Sequence, residues 1–337
     1  MLQDFVGRVK RRLGREFGRG DARPRPSGPQ EPGKVIDVEP DARVIRNEPP
    51  EQFLWLDTTT YETRLGRALA EGRITAEEGE LLREWAAKGY LIMRGCIEPP
   101  LVEAALRDID RVWNERWHVS VDLLTPRPDH TFIDRCPPES RQGSYKLNQL
   151  HQQSEPIRQI FLHDRIIRMI GLIFDGEVVG VNSLTFEFGS QQTTHVDHVY
   201  MTPSPARRLV ASWIALEDVH PEGGPLEIWP GSHQLPPFRW TNTYPYHYIP
   251  DEQPQHERYL MSQAGRFTPE LFMAKKGDVL LWHAMLAHGG KPLRNMDHTR
   301  RSMACHYFSR EVFGPNAADL ERQGAAWVKK IPMEDPD

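Results

Sequence analysis

Residues 194–198 read Thr-His-Val-Asp-His, which places a histidine and an aspartate, two common metal ligands, two positions apart. In a β-strand, residues i and i+2 project to the same face, so His195 and Asp197 can bind one ion together. A second histidine from a distant strand would complete a set of two imidazoles and one carboxylate, which leaves positions on iron(II) open for oxygen chemistry. Because the chain has 14 histidines among 337 residues, one such pair is also expected by chance.

Two histidines that follow a predicted strand are candidates for the third ligand. Residues 275–278 are predicted to form a turn and residues 279–282 a buried strand, and His283 and His288 come next. Each could approach the pair at 195 and 197 from a separate strand. The spacing by itself leaves both candidates open.

An arginine pair opens the strand after these histidines. Arg300 and Arg301 precede a predicted strand over residues 302–308. A guanidinium group matches a carboxylate with two parallel hydrogen bonds, so an arginine close to a metal would bind an anionic ligand well. Because side chains alternate between the two faces of a strand, only one of the two arginines can point toward such a site.

The elements that would position these residues change in character along the chain. Before residue 176 the apolar periodicity is mainly helical, and after it short β-rich runs are separated by turns rich in Pro and Gly. Helices are predicted over residues 75–88, from residue 99 and over residues 157–173, and a short strand is predicted over 90–93. Thr75 and Glu78 form a capping box at the start of the first helix, and Gly89 follows its end. The β-rich runs cover 178–181, 184–188, 209–216, 226–229, 279–282 and 303–308. This order predicts a mainly β sandwich or barrel with flanking helices.

Six motifs occur in an order that is typical of one family. They are residues 88–95 (KGYLIMRG), the His-X-Asp at 195–197, residues 213–218 (WIALED), residues 223–233 (GGPLEIWPGSH), residues 277–288 with Gly-Asp and the two histidines, and residues 300–302 (RRS). Each motif is weak alone. Together, over roughly residues 75–310, they resemble the phytanoyl-CoA dioxygenase (PhyH) family of iron(II)/2-oxoglutarate-dependent oxygenases.

The resemblance implies a double-stranded β-helix, which is a cupin-like jelly roll, and two cofactors, Fe(2+) and 2-oxoglutarate. Iron would be bound by His195, Asp197 and His288, because the family's distal histidine is the one followed by glycine. Arg300 would bind the distal carboxylate of 2-oxoglutarate, in the register set by residues 305–307. Dioxygen and a small-molecule, lipid-linked or glycan-linked substrate would complete the reaction, which releases succinate and carbon dioxide.

Two further residues, and the retained Asp197, gain an interpretation from the resemblance. Trp213 would lie beside the cosubstrate, although a plain core tryptophan is an equal alternative. His233 belongs to a Pro-Gly-Ser-His turn, so it is a poor ligand candidate despite its type. Some halogenases of the family lose the metal-binding carboxylate, and the retention of Asp197 favours hydroxylation.

The rival classes are a binding protein on a jelly roll without catalysis and a zinc or manganese isomerase on a cupin-like barrel.

Composition excludes several other classes of protein. A net charge of -5 does not favour nucleic acid as a partner, and no window approaches 18 consecutive apolar residues, so no membrane span is predicted. The three cysteines are far apart and form no CxxC pair or disulfide framework. The N-terminus has no uninterrupted apolar core of the signal-peptide kind, so we expect a reducing cytoplasm.

Two segments outside the motifs have distinctive patterns. Residues 1–19 combine an apolar helical stripe with basic flanks, and a linker rich in Pro and Gly follows up to residue 34. This pattern has three interpretations, which are a helix in peripheral contact with a membrane, a helix that binds a partner protein, and a disordered tail. Residues 236–260 carry six aromatic side chains, which either form a lid over the substrate or seal the barrel edge. The predicted division is residues 1–34 (basic segment and linker), 35–176 (helical part packed on the core), 177–312 (catalytic β-helix) and 313–337 (C-terminal helix or tail).

Overall fold

The computed structural model describes residues 45, 48–124, 129–241, 246, 248–315 and 317–330. The basic segment and linker predicted for residues 1–34 lie outside the described residues. None of the helices in the described ranges is long and apolar enough to cross a membrane.

Six α-helices in the described part of the chain flank the strands. They are α1 (Tyr61–Ala70), α2 (Ala76–Lys88), α3 (Pro99–Asn114), α4 (Glu155–Phe161), α5 (Asp164–Phe174) and α6 (Gln253–Ala264). The predicted capping box is present at the start of α2, where Thr75 Oγ1 accepts the Glu78 N–H at 3.1 Å and the Glu78 carboxylate accepts the Thr75 N–H at 2.8 Å. Gly89 ends α2 in the left-handed region with φ 78°, as the sequence predicted.

The helix predicted over residues 157–173 is two helices. The break lies at Leu162 and His163, between α4 and α5, and the His163 backbone is extended with ψ 129°. The two helices keep a similar apolar spacing, so periodicity could not detect a turn of two residues between them.

Thirteen β-strands lie in the described ranges. They are β1 (Tyr90–Met93), β2 (Ser120–Leu123), β3 (Asp129–Phe132), β4 (Tyr145–Asn148), β5 (Val178–Phe186), β6 (Leu209–Ala215), β7 (Leu226–Ile228), β8 (Glu270–Phe272), β9 (Val279–His283), β10 (His288–Gly290), β11 (Ser302–Ser309), β12 (Leu320–Gln323) and β13 (Ala326–Lys329). A large sheet has the order β1-β9-β6-β11-β5-β4-β2-β3, with β13 beside β5 and β12 beside β13, and a small sheet has the order β10-β7-β8. Every pairing is antiparallel except β13 with β5. The predicted class, a mainly antiparallel β-fold with flanking helices, is confirmed.

The structure differs from the predicted division at two places. The part from 35 to 176 contributes β1 to β4 to the large sheet, so it is not only a helical layer. The C-terminal part, predicted as a helix or tail, forms the β12–β13 hairpin, and β13 pairs in parallel with β5. In β13, the buried Ala326 and Val328 alternate with less buried residues, which is the period of a strand and not of a helix.

The large sheet has two buried faces, and β6 shows both. Val210 and Ile214 join the large core beneath the helices. Trp213 points to the opposite face and packs in a second core with Leu280 and Trp282 of β9 and with residues of β7 and β8. This second core lies between the two sheets, so the inward tryptophans border the space that a jelly roll uses for its ligand.

Candidate metal centre and cosubstrate pocket

His195 and His288 are joined through their backbones at the edge of the small sheet. The His195 N–H donates to the His288 carbonyl at 2.9 Å, and the His288 N–H donates to the His195 carbonyl at 3.0 Å. Asp197 does not continue a strand, because it begins a 3-10 turn over Asp197–Val199. The prediction of a regular strand across residues 195–197 was therefore wrong, and the turn, not strand alternation, brings the Asp197 carboxylate to the two imidazoles.

The three side chains converge on a small buried volume. Asp197 Oδ1 lies 3.6 Å from His195 Nε2 and 3.5 Å from His288 Nε2. One donor atom from each residue lies within 4.8 Å of the other two, and all three residues are buried. The arrangement is that of two imidazoles and one carboxylate around a shared position, which fits an iron(II) ion.

The second nitrogen of each imidazole fixes its tautomer. His195 Nδ1 lies 2.8 Å from the Thr193 carbonyl, and His288 Nδ1 lies 3.0 Å from the Leu286 carbonyl. Because a carbonyl oxygen only accepts, each Nδ1 must carry the hydrogen. In the neutral rings Nε2 is then the unprotonated nitrogen that a metal requires.

The surroundings of Asp197 keep it ionised. Burial alone would raise its pKa, but the neighbouring His288, His306 and His195 outweigh burial and hold the pKa well below its ordinary value. Asp197 Oδ2 accepts the Trp282 Nε1–H at 2.7 Å, and His306 Nε2 lies 3.7 Å from the same oxygen. The sequence pattern predicts strands at Trp282 and His306 but no role for either residue at the site. The signal in the sequence was their alternation with the residues of β9 and β11 that face the large core.

The structure separates the two arginines clearly. Arg300 is 2% exposed, its Nη1–H donates to the Gly224 carbonyl at 2.6 Å, and its Nε has no hydrogen-bond partner. No carboxylate among the described residues forms an ion pair with it, and burial lowers its pKa to about 10. Arg301, in contrast, forms an ion pair with Glu187 at 2.8 Å. A buried guanidinium without a carboxylate partner fits a site for an anionic ligand such as 2-oxoglutarate.

Trp213 connects the arginine with the core between the sheets. The Arg300 guanidinium lies 5.6 Å from the centre of the Trp213 ring, and the ring packs edge-on against Phe272 at 5.7 Å. Trp213 is therefore both a buried core residue and a neighbour of the candidate carboxylate site. The two interpretations of this residue are compatible.

The structure places His283 and His233 in another buried cluster. His283 Nε2 lies 3.5 Å from Asp57 Oδ2, and its Nδ1 accepts the Met285 N–H at 2.9 Å. The His233 ring lies 5.5 Å from the His283 ring and fills the space beside Gly89, where a Cβ atom would meet His233 Nδ1 at 2.4 Å. Neither histidine belongs to the group around Asp197, so His288 is the better candidate for the distal ligand.

A second group of metal-binding side chains has less suitable geometry. His220, Glu222 and His298 lie close together, but none of them is fully buried. The rings of His220 and His298 stack at 3.5 Å with an interplanar angle of 18°. Since the nitrogen lone pairs lie in the ring planes, stacked rings direct them side by side and not toward one ion. The buried group is therefore the better candidate for a metal site.

Comparison with known proteins decides the family. The family described as "Phytanoyl-CoA dioxygenase (PhyH)" matches residues 85–302, which is more than half of the chain. The chain belongs to the phytanoyl-CoA dioxygenase family. The sequence motifs predicted this family of iron(II)/2-oxoglutarate-dependent oxygenases.

The curated relatives are distant in sequence. "Phytanoyl-CoA dioxygenase, peroxisomal" of Mus musculus is 26% identical over 281 residues, which cover 76% of this chain and 76% of that protein. The Rattus norvegicus protein of the same description is 21% identical over 237 residues, which cover 66% of this chain and 65% of its own length. The chain thus matches just under two thirds of the rat protein.

Solved structures share the fold at still lower identity. The α-ketoglutarate-dependent epimerase SnoN from nogalamycin biosynthesis has a TM-score of 0.53 at 16% identity and covers 75% of this chain and 98% of its own. EctD from S. alaskensis with 2-oxoglutarate and 5-hydroxyectoine has a TM-score of 0.51 at 18% identity and covers 70% of this chain and 76% of its own. These likenesses support the jelly-roll architecture.

Tyr244 lies outside the described residues, and the other five aromatic residues over 236–260 divide into buried and half-buried members. Phe238, Trp240 and Tyr259 are buried with Val196, Val199 and Ala287, which neighbour the candidate metal ligands in sequence. Tyr248 is half-buried, and its ring lies 6.0 Å from the Tyr200 ring, which lies 5.6 Å from the ring of His195. The buried members pack beside the loops that carry the candidate ligands, and Tyr200 and Tyr248 form an aromatic surface next to His195.

Proposed function

We propose that this oxygenase hydroxylates an unactivated C–H bond, with iron(II) on His195, Asp197 and His288 and with 2-oxoglutarate held by Arg300. The observation that supports this most directly is the convergence of the three buried donors, whose Nε2 and Oδ1 atoms lie 3.5 and 3.6 Å apart. Arg300 adds a buried positive charge that no described carboxylate neutralises. A jelly-roll protein that only binds a ligand would have no need of both features.

When bound, iron and 2-oxoglutarate together supply the oxygen activation that removes hydrogen from a C–H bond, with succinate and carbon dioxide as coproducts. The chain itself supplies placement. The carbonyls of Thr193 and Leu286 orient the imidazoles, and the Arg300 guanidinium orients the cosubstrate through its distal carboxylate. The inward tryptophans of β6 and β9 exclude water from the space between the sheets.

Anaerobic addition of iron(II) and 2-oxoglutarate tests this proposal. We expect a visible charge-transfer band that forms only when both iron(II) and 2-oxoglutarate are present. The band should be absent in Asp197→Ala, and in Arg300→Ala it should form only at much higher concentrations of 2-oxoglutarate. Metal binding that 2-oxoglutarate does not affect would instead support a zinc or manganese isomerase. A protein with no affinity for either would support the binding-protein alternative.

We propose an apolar or sugar-like substrate for the aromatic surface formed by Tyr200 and Tyr248. Aromatic faces stack on both kinds of molecule, and the Tyr200 ring is 5.6 Å from His195. Burial raises the pKa of Tyr248 to about 12, so its phenol stays neutral at physiological pH. Product mass is the measurement, because hydroxylation adds one oxygen atom. Tyr248→Ala should slow substrate oxidation and leave iron binding unchanged, and weaker iron binding would contradict a role in substrate contact alone.

We also propose that residues 1–19 bring the oxygenase to an anionic membrane surface, where lipid-linked substrates would be available. The support is the sequence alone, with eight Lys or Arg and three acidic residues among the first 25. Co-sedimentation with anionic vesicles should be lost in a protein that begins at Lys34. Equal partitioning of the two proteins would exclude the membrane role.

A further inference from the structure

The Asp197 carboxylate divides its two oxygens between different partners. Oδ1 faces the Nε2 atoms of His195 and His288 at 3.6 and 3.5 Å. Oδ2 faces away from them, toward the Trp282 indole at 2.7 Å and the His306 imidazole at 3.7 Å. Oδ1 is thus the oxygen that would bind the same ion as both imidazoles, and Oδ2 contacts donors on strands of the large sheet.

Trp282 is fixed within the large sheet with its N–H directed at this carboxylate. It lies in β9, where it is opposite Tyr90 of β1 and Ala211 of β6, and it is 3% exposed. Its ring centre lies 4.8 Å from that of His288, so one side chain contacts two of the three candidate ligands. An indole N–H donates and cannot bind the metal, which makes Trp282 a support for the ligands and not a competitor.

His306 is oriented by the strand beside it. In the β11–β5 pairing, His306 is opposite Asn182, and the Asn182 Nδ2 amide lies 3.5 Å from His306 Nδ1. Because the amide nitrogen donates, Nδ1 accepts, and in the neutral ring the hydrogen is on Nε2, which faces Asp197 Oδ2. The contact at 3.7 Å is longer than a normal hydrogen bond, so it is the weaker of the two supports.

We infer that Trp282 and His306 are positioning residues that keep Asp197 a one-oxygen ligand. This inference rests on the proposed metal site. If Oδ2 were released, the carboxylate could turn and chelate the ion through both oxygens, which would occupy a position that 2-oxoglutarate or dioxygen needs. The two donors therefore maintain the open positions on the metal as well as its affinity.

The test compares Trp282→Phe with Trp85→Phe. Trp85 is a matched control because it is also fully buried, its Nε1 has no hydrogen-bond partner, and it lies outside the metal group. Calorimetry under argon would measure the Kd of iron(II) for the free protein and then the Kd of 2-oxoglutarate for the iron-saturated protein. We expect Trp282→Phe to weaken iron binding about 10- to 100-fold. It should also weaken 2-oxoglutarate binding, whereas Trp85→Phe should change neither Kd.

Two further variants keep the result decisive. If Trp282→Phe does not fold, His306→Leu and His306→Gln replace it, because glutamine retains a donor near the position of Nε2. Leucine should then weaken both Kd values and glutamine should restore them. Asp197→Ala tests the site itself. Loss of iron in Asp197→Ala together with wild-type Kd values in the Trp282 or His306 variants would overturn the positioning role alone, and tight iron binding by Asp197→Ala would overturn the metal site.

Discussion

Arg300 and Arg301 are neighbours in sequence for which the structure predicts opposite effects. Arg300 is fully buried without an acidic partner, and burial lowers its pKa from 12.5 to about 10. Because the pKa of the folded state lies below that of the unfolded state, the charge costs stability at neutral pH, by roughly 3 kcal/mol. Replacement of such an unpaired charge by a well-packed apolar residue is often neutral or stabilising. We therefore expect Arg300→Met to keep or raise the Tm of the free protein.

The same substitution should damage cosubstrate binding. Loss of one partner of a buried, hydrogen-bonded charge pair typically costs about 2–5 kcal/mol. This corresponds to a Kd for 2-oxoglutarate that is about 30- to 4,000-fold higher. Titration of 2-oxoglutarate into the anaerobic iron-loaded protein, followed by the visible band, measures this directly. Iron affinity in the absence of 2-oxoglutarate should not change.

Arg301→Met is the matched control, and its effects should be reversed. Arg301 pairs with Glu187 at 2.8 Å, and Glu187 also binds Arg141 at 3.0 Å. Removal of Arg301 should cost roughly 1–3 kcal/mol of stability, because one charged hydrogen bond is lost while Arg141 still neutralises the carboxylate. The affinity for 2-oxoglutarate should stay within a few-fold of wild type. Weak cosubstrate binding in Arg301→Met with normal binding in Arg300→Met would refute the assignment.

Three other predictions concern the metal group and the neighbouring buried cluster. His288→Ala should abolish tight iron binding and succinate formation, whereas His283→Ala should retain iron in a metal analysis of the purified protein; the reverse pattern would identify His283 as the ligand. Burial alone would raise the pKa of Asp57, but His283, Arg207 and His233 together outweigh burial and lower the pKa to about 2. The ionised carboxylate therefore contributes about 2 kcal/mol above pH 4, which is lost as the pH falls toward 2. Denaturant unfolding should show Asp57→Asn less stable than wild type at pH 6, with the difference shrinking toward pH 2; a constant difference would contradict the linkage. Gly89→Ala should lower the free energy of unfolding by at least about 1 kcal/mol, because φ is 78° and the added Cβ would meet His233 at 2.4 Å; unchanged unfolding would show that this contact relaxes.

Local pattern was sufficient for most of the secondary structure. The capping box at Thr75 and the glycine after α2 were predicted because their hydrogen bonds join residues close in sequence. The strands that contain Trp213 and Trp282 were also predicted, since apolar runs between turns are local signals. Strands β2 to β4 and the C-terminal hairpin were not, because their stability depends on pairing with β5 or with one another across long separations in sequence.

The sequence by itself determined the family and the candidate ligand set, because the order of the motifs and the types of their residues are properties of the chain alone. The family resemblance favoured Arg300 over Arg301 and His288 over His283, but only the tertiary structure gives the physical reason for each choice. Each choice depends on which buried charge has a partner, and the partners Glu187 and Asp57 lie far from these residues in sequence. The support of Asp197 by Trp282 has the same origin, since 85 positions separate the two residues. A buried polar group is stable only when it has a hydrogen-bond or charge partner, and the folded structure determines which groups have such a partner.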